Sequence, residues 1–140
     1  MPKSIPFRVV ELEPNSYHIL VKGTIGRRAI NLIVDSGASR TVIDKQLPGT
    51  LRTHPLKIEN PLAAGFMAEQ VPVELVRVSS IRLANHAFRN VEVIVADLSG
   101  INELYNRMAG LPVHGLIGCD FLLKHISSIG FKRRKLYLAG

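Results

Sequence analysis

Residues 31–44 read NLIVDSGASRTVID, and the fold turns on how they are understood. The apolar run Leu32-Ile33-Val34 ends in Asp35, and small residues from Ser36 to Ser39 separate it from a second apolar pair, Val42-Ile43. Aspartate is among the residues least often buried without a partner. A carboxylate set where a buried strand emerges therefore asks what it meets. Leu32 to Val34 have the character of a buried strand, and Gly37 lets the backbone turn with no Cβ in the way. The hydroxyls of Ser36 and Ser39 can bond to nearby backbone, so such a turn can hold Asp35 rigidly at the floor of a cleft. Asp, Ser and Gly also favour ordinary Asx turns, so the triplet alone is a weak signal.

Outward from this stretch, short strands alternate with turn signals. Phe7 to Glu13 alternates and stops at Pro14-Asn15; Tyr17 to Thr24 reads as a strand that turns near Gly23 to Gly26 into Arg28 to Val34. This predicted hairpin delivers the chain into Asp35. Residues 46–61 carry Pro48, Gly49, Pro55 and Pro61 and read as a loop with one edge strand near Leu56 to Ile58. Antiparallel strands are predicted at Val71 to Val78, Ile81 to Leu83 and Phe88 to Ala96, with a turn at Asn85-His86. Helical spacing then appears: Ile101, Leu104, Tyr105 and Met108 fall at i, i+3, i+4 and i+7, with Ser99 as N-cap and Gly110 and Pro112 as stop signals. A second short helix is predicted after Gly118, with Asp120 near its N-terminus. Strands around Ser127 to Phe131 and Lys135 to Leu138 close the chain. The expected class is mainly β, a small barrel-like or sandwich arrangement with two short helices.

The 140 residues match one domain, expected to span residues 1–140. At 46% hydrophobic and 21% charged, with 11 Gly and 8 Pro, the composition is that of a folded, turn-rich protein. The single cysteine, Cys119, excludes an intrachain disulfide. No N-terminal h-region and no apolar run of membrane-spanning length occurs. The chain is expected to be soluble and cytoplasmic without membrane association, a signal or anchor outside this sequence being left open. The net charge of +7 raises the question of an anionic partner. Its densest run, Lys132-Arg133-Arg134-Lys135, lies between apolar Phe131 and Leu136-Tyr137-Leu138 and reads as a solvated hairpin turn. No interleaved aromatics accompany it, so nucleic acid is not the expected partner.

A second motif lies at residues 113–122, VHGLIGCDFL: two aliphatics, Leu116 and Ile117, are closed by Gly118 and followed by Asp120-Phe121-Leu122 at a helix start. With Asp35-Ser36-Gly37-Ala38 at the end of an apolar strand, the chain resembles the retroviral-type (retropepsin-like) aspartic proteases, of the single-domain kind also found in bacteria and in cellular proteins. The order of parts matches from about Tyr17 to Leu138. The resemblance implies a small closed β-barrel-like fold with one or two short helices, active as a dimer, in which the hydrophobic-hydrophobic-Gly strand threads beneath the catalytic turn. It implies an aspartic endopeptidase acting on polypeptide without cofactor or metal.

That chemistry uses two carboxylates sharing a proton, one a general base on water and the other an acid toward the scissile carbonyl oxygen. The chain holds one such turn: Asp44 precedes Lys-Gln, Asp97 precedes Leu-Ser-Gly and Asp120 precedes Phe. A second copy is therefore expected to supply the second carboxylate in a C2 homodimer with the two Asp35 side chains at the axis, active at mildly acidic pH. By resemblance, Ser36 hydrogen-bonds across the dimer, Gly37 keeps space beside the water, and Ala38, Leu116, Ile117 and Gly118 support the turn. The flap that closes over the peptide is assigned to residues 63–67, with Gly65, Phe66 and Met67 at its tip, a plain β-turn being the competing reading. Gly130 departs from the pattern, since relatives often carry Asp there.

Other constellations carry less. Cys119 with His114 or His125 lacks an orienting group for a nucleophile, and a lone cysteine is commonly a small buried apolar residue. The 5 histidines show no metal-ligand spacing, and GTIGR has neither the ending nor the helix of a phosphate-binding loop. Two readings stand beside the peptidase: a dimerisation or peptide-binding module with little catalysis, and a nucleic-acid contact at Lys132 to Lys135 whose affinity would fall steeply with salt.

Overall fold

The computed structural model describes residues 3–47, 53–56 and 74–140. The flap candidates Gly65, Phe66 and Met67 lie outside them. Strands β1 (Ser4–Pro6) and β2 (Arg8–Glu13) lead into the hairpin of β3 (Ser16–Ile25) and β4 (Arg28–Val34). Then come β5 (Val42–Asp44), β6 (Thr53–Leu56) and the long pair β7 (Glu74–Leu83) and β8 (His86–Ala96). Helix α1 (Ser99–Ala109), β9 (Gly115–Ile117), α2 (Cys119–His125), β10 (Ile126–Gly130) and β11 (Lys135–Leu138) complete the chain. Neither helix is long and apolar enough to cross a membrane.

Strands β3, β4, β9, β5, β8 and β7 pair in that order, and β7 pairs back onto β3, so the mainly β structure is a closed six-stranded barrel. Closure removes the open sheet edges that an antiparallel sandwich would have to protect. The seam is short, Gly23 opposite Leu83 and Thr24 opposite Arg82. It forms because Gly23 has no side chain: a Cβ there would run into the backbone oxygen of Arg82 and a methyl of Leu83. A separate sheet, β1-β11-β10, joins the two ends of the chain. In it the ring of Tyr137 lies over Gly130, where a Cβ would come within 2.8 Å of Cε2, which accounts for glycine at this position.

Alternation along the strands sorts the core into two faces. On β4, Ile30 and Leu32 pack with Val21, Ile43, Val93 and Ile117, whereas Ile33 points to the other side with Leu20, Val42, Ile94 and Leu116. Tyr105 of α1 covers this second cluster. The barrel wall is thus apolar on both faces around Asp35, the pattern expected of strands covered on both sides.

The structure corrects several boundaries. The strands expected to break between Val78 and Ile81 are one element, because Ser79 and Ser80 contain no breaker and the ladder runs on through Ser80 opposite Arg89. An edge strand lies at Thr53–Leu56; of the stretch expected around Leu56 to Ile58, residues 57 and 58 lie outside the described ones. Phe7 separates β1 from β2, its N–H donating to the Arg134 carbonyl at 2.9 Å. Ser99 is the first helical residue and not the cap: Leu98 holds the N-cap position, and the side chain nearest to that role is Asp97, whose Oδ1 accepts from the Ser99 N–H at 2.9 Å. Gly110 ends α1 in the left-handed conformation, φ 66°, as the stop signal predicts. Lys132 to Arg134 lie in the exposed turn between β10 and β11.

His114 fastens this frame just before β9. Its N–H donates to the Asn31 carbonyl at 2.8 Å, its carbonyl accepts from the Asp44 N–H at 2.9 Å, and its Nδ1 accepts from the Asn31 N–H at 2.9 Å. Burial, and then the charge of Arg28, hold its imidazole below the ordinary histidine range, with Asp44 pulling weakly the other way. The folded state thus prefers neutral His114, and the unfolded chain takes up the proton more readily as pH falls below its ordinary value. Stability present above about pH 6.5 is expected to decline toward pH 5.5, and His114→Gln should flatten part of that decline in thermal melts. The barrel seam gives a steric test. Gly23→Ala is expected to cost about 2 kcal/mol or more in urea unfolding. Gly100→Ala, in α1 with open space around it, should be neutral or stabilising by up to about 1 kcal/mol.

Candidate active site

The site grows from the threading of β9 between β4 and β5. It runs parallel to β4, with Leu32, Ile33 and Val34 opposite Gly115, Leu116 and Ile117, and antiparallel to β5, with Val42 opposite Leu116. Residues 35–41 leave β4 on one side of β9 and return as β5 on the other, so the turn straddles this strand. The approach is close enough to demand glycine at both ends. A Cβ on Gly115 would lie 2.5 Å from the Val42 oxygen, and one on Gly118 would lie 2.5 Å from the Arg40 carbonyl.

Asp35 is fixed through its backbone and half of its carboxylate. Its N–H donates to the Ile117 carbonyl at 2.9 Å and its own carbonyl accepts from the Ala38 N–H at 3.1 Å. Oδ1 accepts from the Gly37 N–H at 2.9 Å, and a Cβ on Gly37 would press to 3.2 Å of that oxygen. Oδ2 accepts no hydrogen bond from the described residues, so one carboxylate oxygen is held and the other is free to react. Ala38 is buried, and its carbonyl accepts from the Cys119 N–H at 2.8 Å. Cys119 Sγ lies 2.9 Å from the Ser36 carbonyl and braces the turn from below.

The far end of the turn is held by a partly buried polar knot. Asp120 Oδ1 accepts from the Thr41 N–H at 2.9 Å, the Thr41 hydroxyl at 2.7 Å and the Phe121 N–H at 2.8 Å. Thr41, 2% exposed, in turn accepts from the Gly118 N–H at 3.1 Å. Asp120 therefore joins the turn that follows Asp35 to α2.

In front of Asp35 opens a groove of about 460 Å³, lined on one side by Ile33 and Leu116 and on the other by Leu104, Tyr105 and Met108 of α1. The helical stripe read from the sequence is thus split. Tyr105 is buried, while Leu104 and Met108 are each 41% exposed and form a groove wall. The Tyr105 hydroxyl shares a 2.9 Å hydrogen bond with His18 Nδ1. Burial, and then the Asp35 carboxylate, push the Tyr105 phenol up, so it keeps its proton at neutral pH. His18, Leu104, Tyr105 and Met108 were not among the site residues expected from sequence. Helical periodicity marks an apolar face without saying whether core or cleft covers it.

Of the expected residues, the structure gathers Asp35, Ser36, Gly37 and Ala38 against Leu116, Ile117 and Gly118. Ser36 is exposed and has no side-chain hydrogen bond with the described residues. The described residues contain no cluster of three or more His, Cys, Asp or Glu placed to hold a metal ion. The polar knot gives a direct test. Thr41→Val strips the Gly118 N–H of its acceptor and Asp120 of one donor, and is expected to lower stability by about 1–3 kcal/mol in urea unfolding, with Thr41→Ser recovering most of the loss.

Comparison with known proteins agrees with this arrangement. The sequence profile of the family described as Aspartyl protease matches residues 21–121, from β3 to the start of α2. No curated protein matches the chain in sequence. Among solved structures, it is similar to a retropepsin-like aspartic protease from Rickettsia conorii, with TM-score 0.53 and 14% identity over 100% of this chain and 94% of that one. It is also similar to the retroviral protease-like domain of Ddi1 from Leishmania major, with TM-score 0.50 and 16% identity over 86% of this chain and 93% of that one. These structures share the fold, and the profile match spans both the turn at Asp35 and the strand threaded beneath it: the chain belongs to the aspartyl protease family.

Proposed function

We propose that two copies of this chain pair their Asp35 carboxylates to hydrolyse peptide bonds in extended polypeptides. One observation carries the reading: of the four aspartates in the sequence, Asp35 alone stands at the end of the strand beside the groove along α1, with Oδ1 held by the Gly37 N–H and Oδ2 without a hydrogen-bond donor among the described residues. Asp44 is 3% exposed, Asp97 accepts from Ser99 at the start of α1, and Asp120 is committed to Thr41 and Phe121. A single free carboxylate supplies half of the acid–base pair, and a two-fold axis supplies an identical second half.

In the dyad, two carboxylates a few ångströms apart share one proton, since ionising both is costly. The ionised member takes a proton from a bound water as its oxygen attacks the scissile carbonyl carbon. The protonated member gives its proton to the carbonyl oxygen, forming a neutral geminal diol. Collapse of the diol breaks the C–N bond, with one proton passing to the leaving nitrogen and the dyad restored. The net reaction adds one water and yields a carboxylic acid and an amine. The bonds from Gly37 and Ile117 to Asp35 limit reorganisation during these transfers. Leu104, Met108 and Leu116 offer an apolar wall to substrate side chains beside the carboxylate.

A mixed-sequence peptide library incubated between pH 4 and 7.5 tests this reading. Cleavage is expected to peak on the acid side and to fall by at least about a hundredfold in Asp35→Asn. Specific activity should rise with protein concentration wherever sedimentation shows monomer and dimer in exchange. A dimeric protein that cuts nothing, or an Asp35→Asn variant that cuts as well as the parent, would instead favour a peptide-binding module.

A further inference from the structure

We infer that a second cavity, beside the outgoing arm of the catalytic turn, is an exosite for an acidic residue of the substrate polypeptide, an inference that rests on the peptidase reading above. The cavity, of about 520 Å³, shares no lining residue with the groove at Asp35. Arg40, Arg77, Arg89 and Lys124 converge on it from the turn, β7, β8 and α2, facing two carboxylates, Glu92 and Asp120. These cations are far apart in sequence, and the barrel brings them together.

Their charge is under-compensated. Glu92 pairs with Arg77 at 3.4 Å, and Asp120 Oδ1 already accepts three hydrogen bonds. Arg40 reaches Asp120 Oδ2 only at 3.9 Å and Glu92 only at 4.0 Å, beyond hydrogen-bond distance, and its Nε is buried with no hydrogen-bond partner. Arg89 and Lys124 make no ion pair with the described residues. A buried guanidinium donor without an acceptor is costly, and a carboxylate entering the cavity would meet the guanidinium of Arg40 together with the exposed charges of Arg89 and Lys124.

The location ties this cavity to substrate. Arg40 follows Asp35 by five residues, so their Cα atoms are at most about 18 Å apart. An extended peptide advances about 3.3 Å per residue, which places the acidic residue within about five positions of the scissile bond. A nucleic acid fits less well. Glu92 and Asp120 would repel a continuous phosphate backbone, and the lining ring of Phe121 is buried and offers no stacking face.

The test uses the 140-residue chain carrying Asp35→Asn and fluorescent peptide pairs with an apolar centre, each pair differing only by Glu or Gln at three to five positions from that centre. By anisotropy, the best Glu peptide is expected to bind at least fivefold more tightly than its Gln twin. The advantage should shrink between 50 and 300 mM salt and fall below twofold when Arg89→Gln and Lys124→Gln are added; both side chains are exposed, and circular dichroism checks the fold. Equal binding within every pair, no binding of any peptide, or an advantage that survives the added substitutions overturns the inference. So does a single-stranded oligonucleotide that binds more tightly than the Glu peptide and loses that affinity with the same substitutions. Because binding is read without catalysis, failure of the parent chain to cleave would count against the peptidase reading and leave a measured Glu preference intact.

Discussion

The structure depends on one steric constraint: the backbone of β9 must pass between β4 and β5 with no side chain in the way. Gly115 and Gly118 bracket that passage, and each would drive a Cβ into a main-chain carbonyl if replaced. Once β9 is seated, the Ile117 carbonyl takes the Asp35 N–H, the Ala38 carbonyl takes the Cys119 N–H, and Gly118 donates to Thr41. The same strand that completes the barrel therefore also clamps both arms of the turn at Asp35. Fold and site share a single set of contacts, which leaves the turn little freedom to vary while the barrel stays closed.

Stiff and open parts divide the site. The turn is held by a partly buried knot in which one oxygen of Asp120 accepts three hydrogen bonds, from the Thr41 N–H, the Thr41 hydroxyl and the Phe121 N–H. The groove wall is of another kind. Leu104 and Met108 stand half out of the surface on a helix anchored mainly by Tyr105 and its bond to His18. Unbranched, flexible side chains such as Met adapt to varied apolar partners.

Charge illustrates why density along a sequence is a poor guide to density in space. Lys132 to Lys135 form the most basic run, yet the β10–β11 turn presents them to solvent. Arg40, Arg77, Arg89 and Lys124 attract no notice in the chain, and the barrel places them around one cavity. A run of like charge on a turn separates its side chains into water, whereas convergence from four elements sets them around one cavity.

Much of the core of the site was legible in order and spacing. An apolar strand ending in Asp35-Ser36-Gly37-Ala38, and Leu116-Ile117-Gly118 before a helix, are local patterns because each follows from backbone demands: a buried strand, a sharp turn, a passage too narrow for a Cβ. The same holds for the stop at Gly110. Tertiary structure alone decided the rest. Whether the strands closed as a barrel or stacked as a sandwich hung on the seam at Gly23, a contact some sixty residues distant in the chain. That Leu104 and Met108 face a groove, that His18 meets Tyr105, and that Arg40 finds Arg89 and Lys124 are facts of long-range packing. Periodicity says which residues share a face; only the closed barrel says what that face meets.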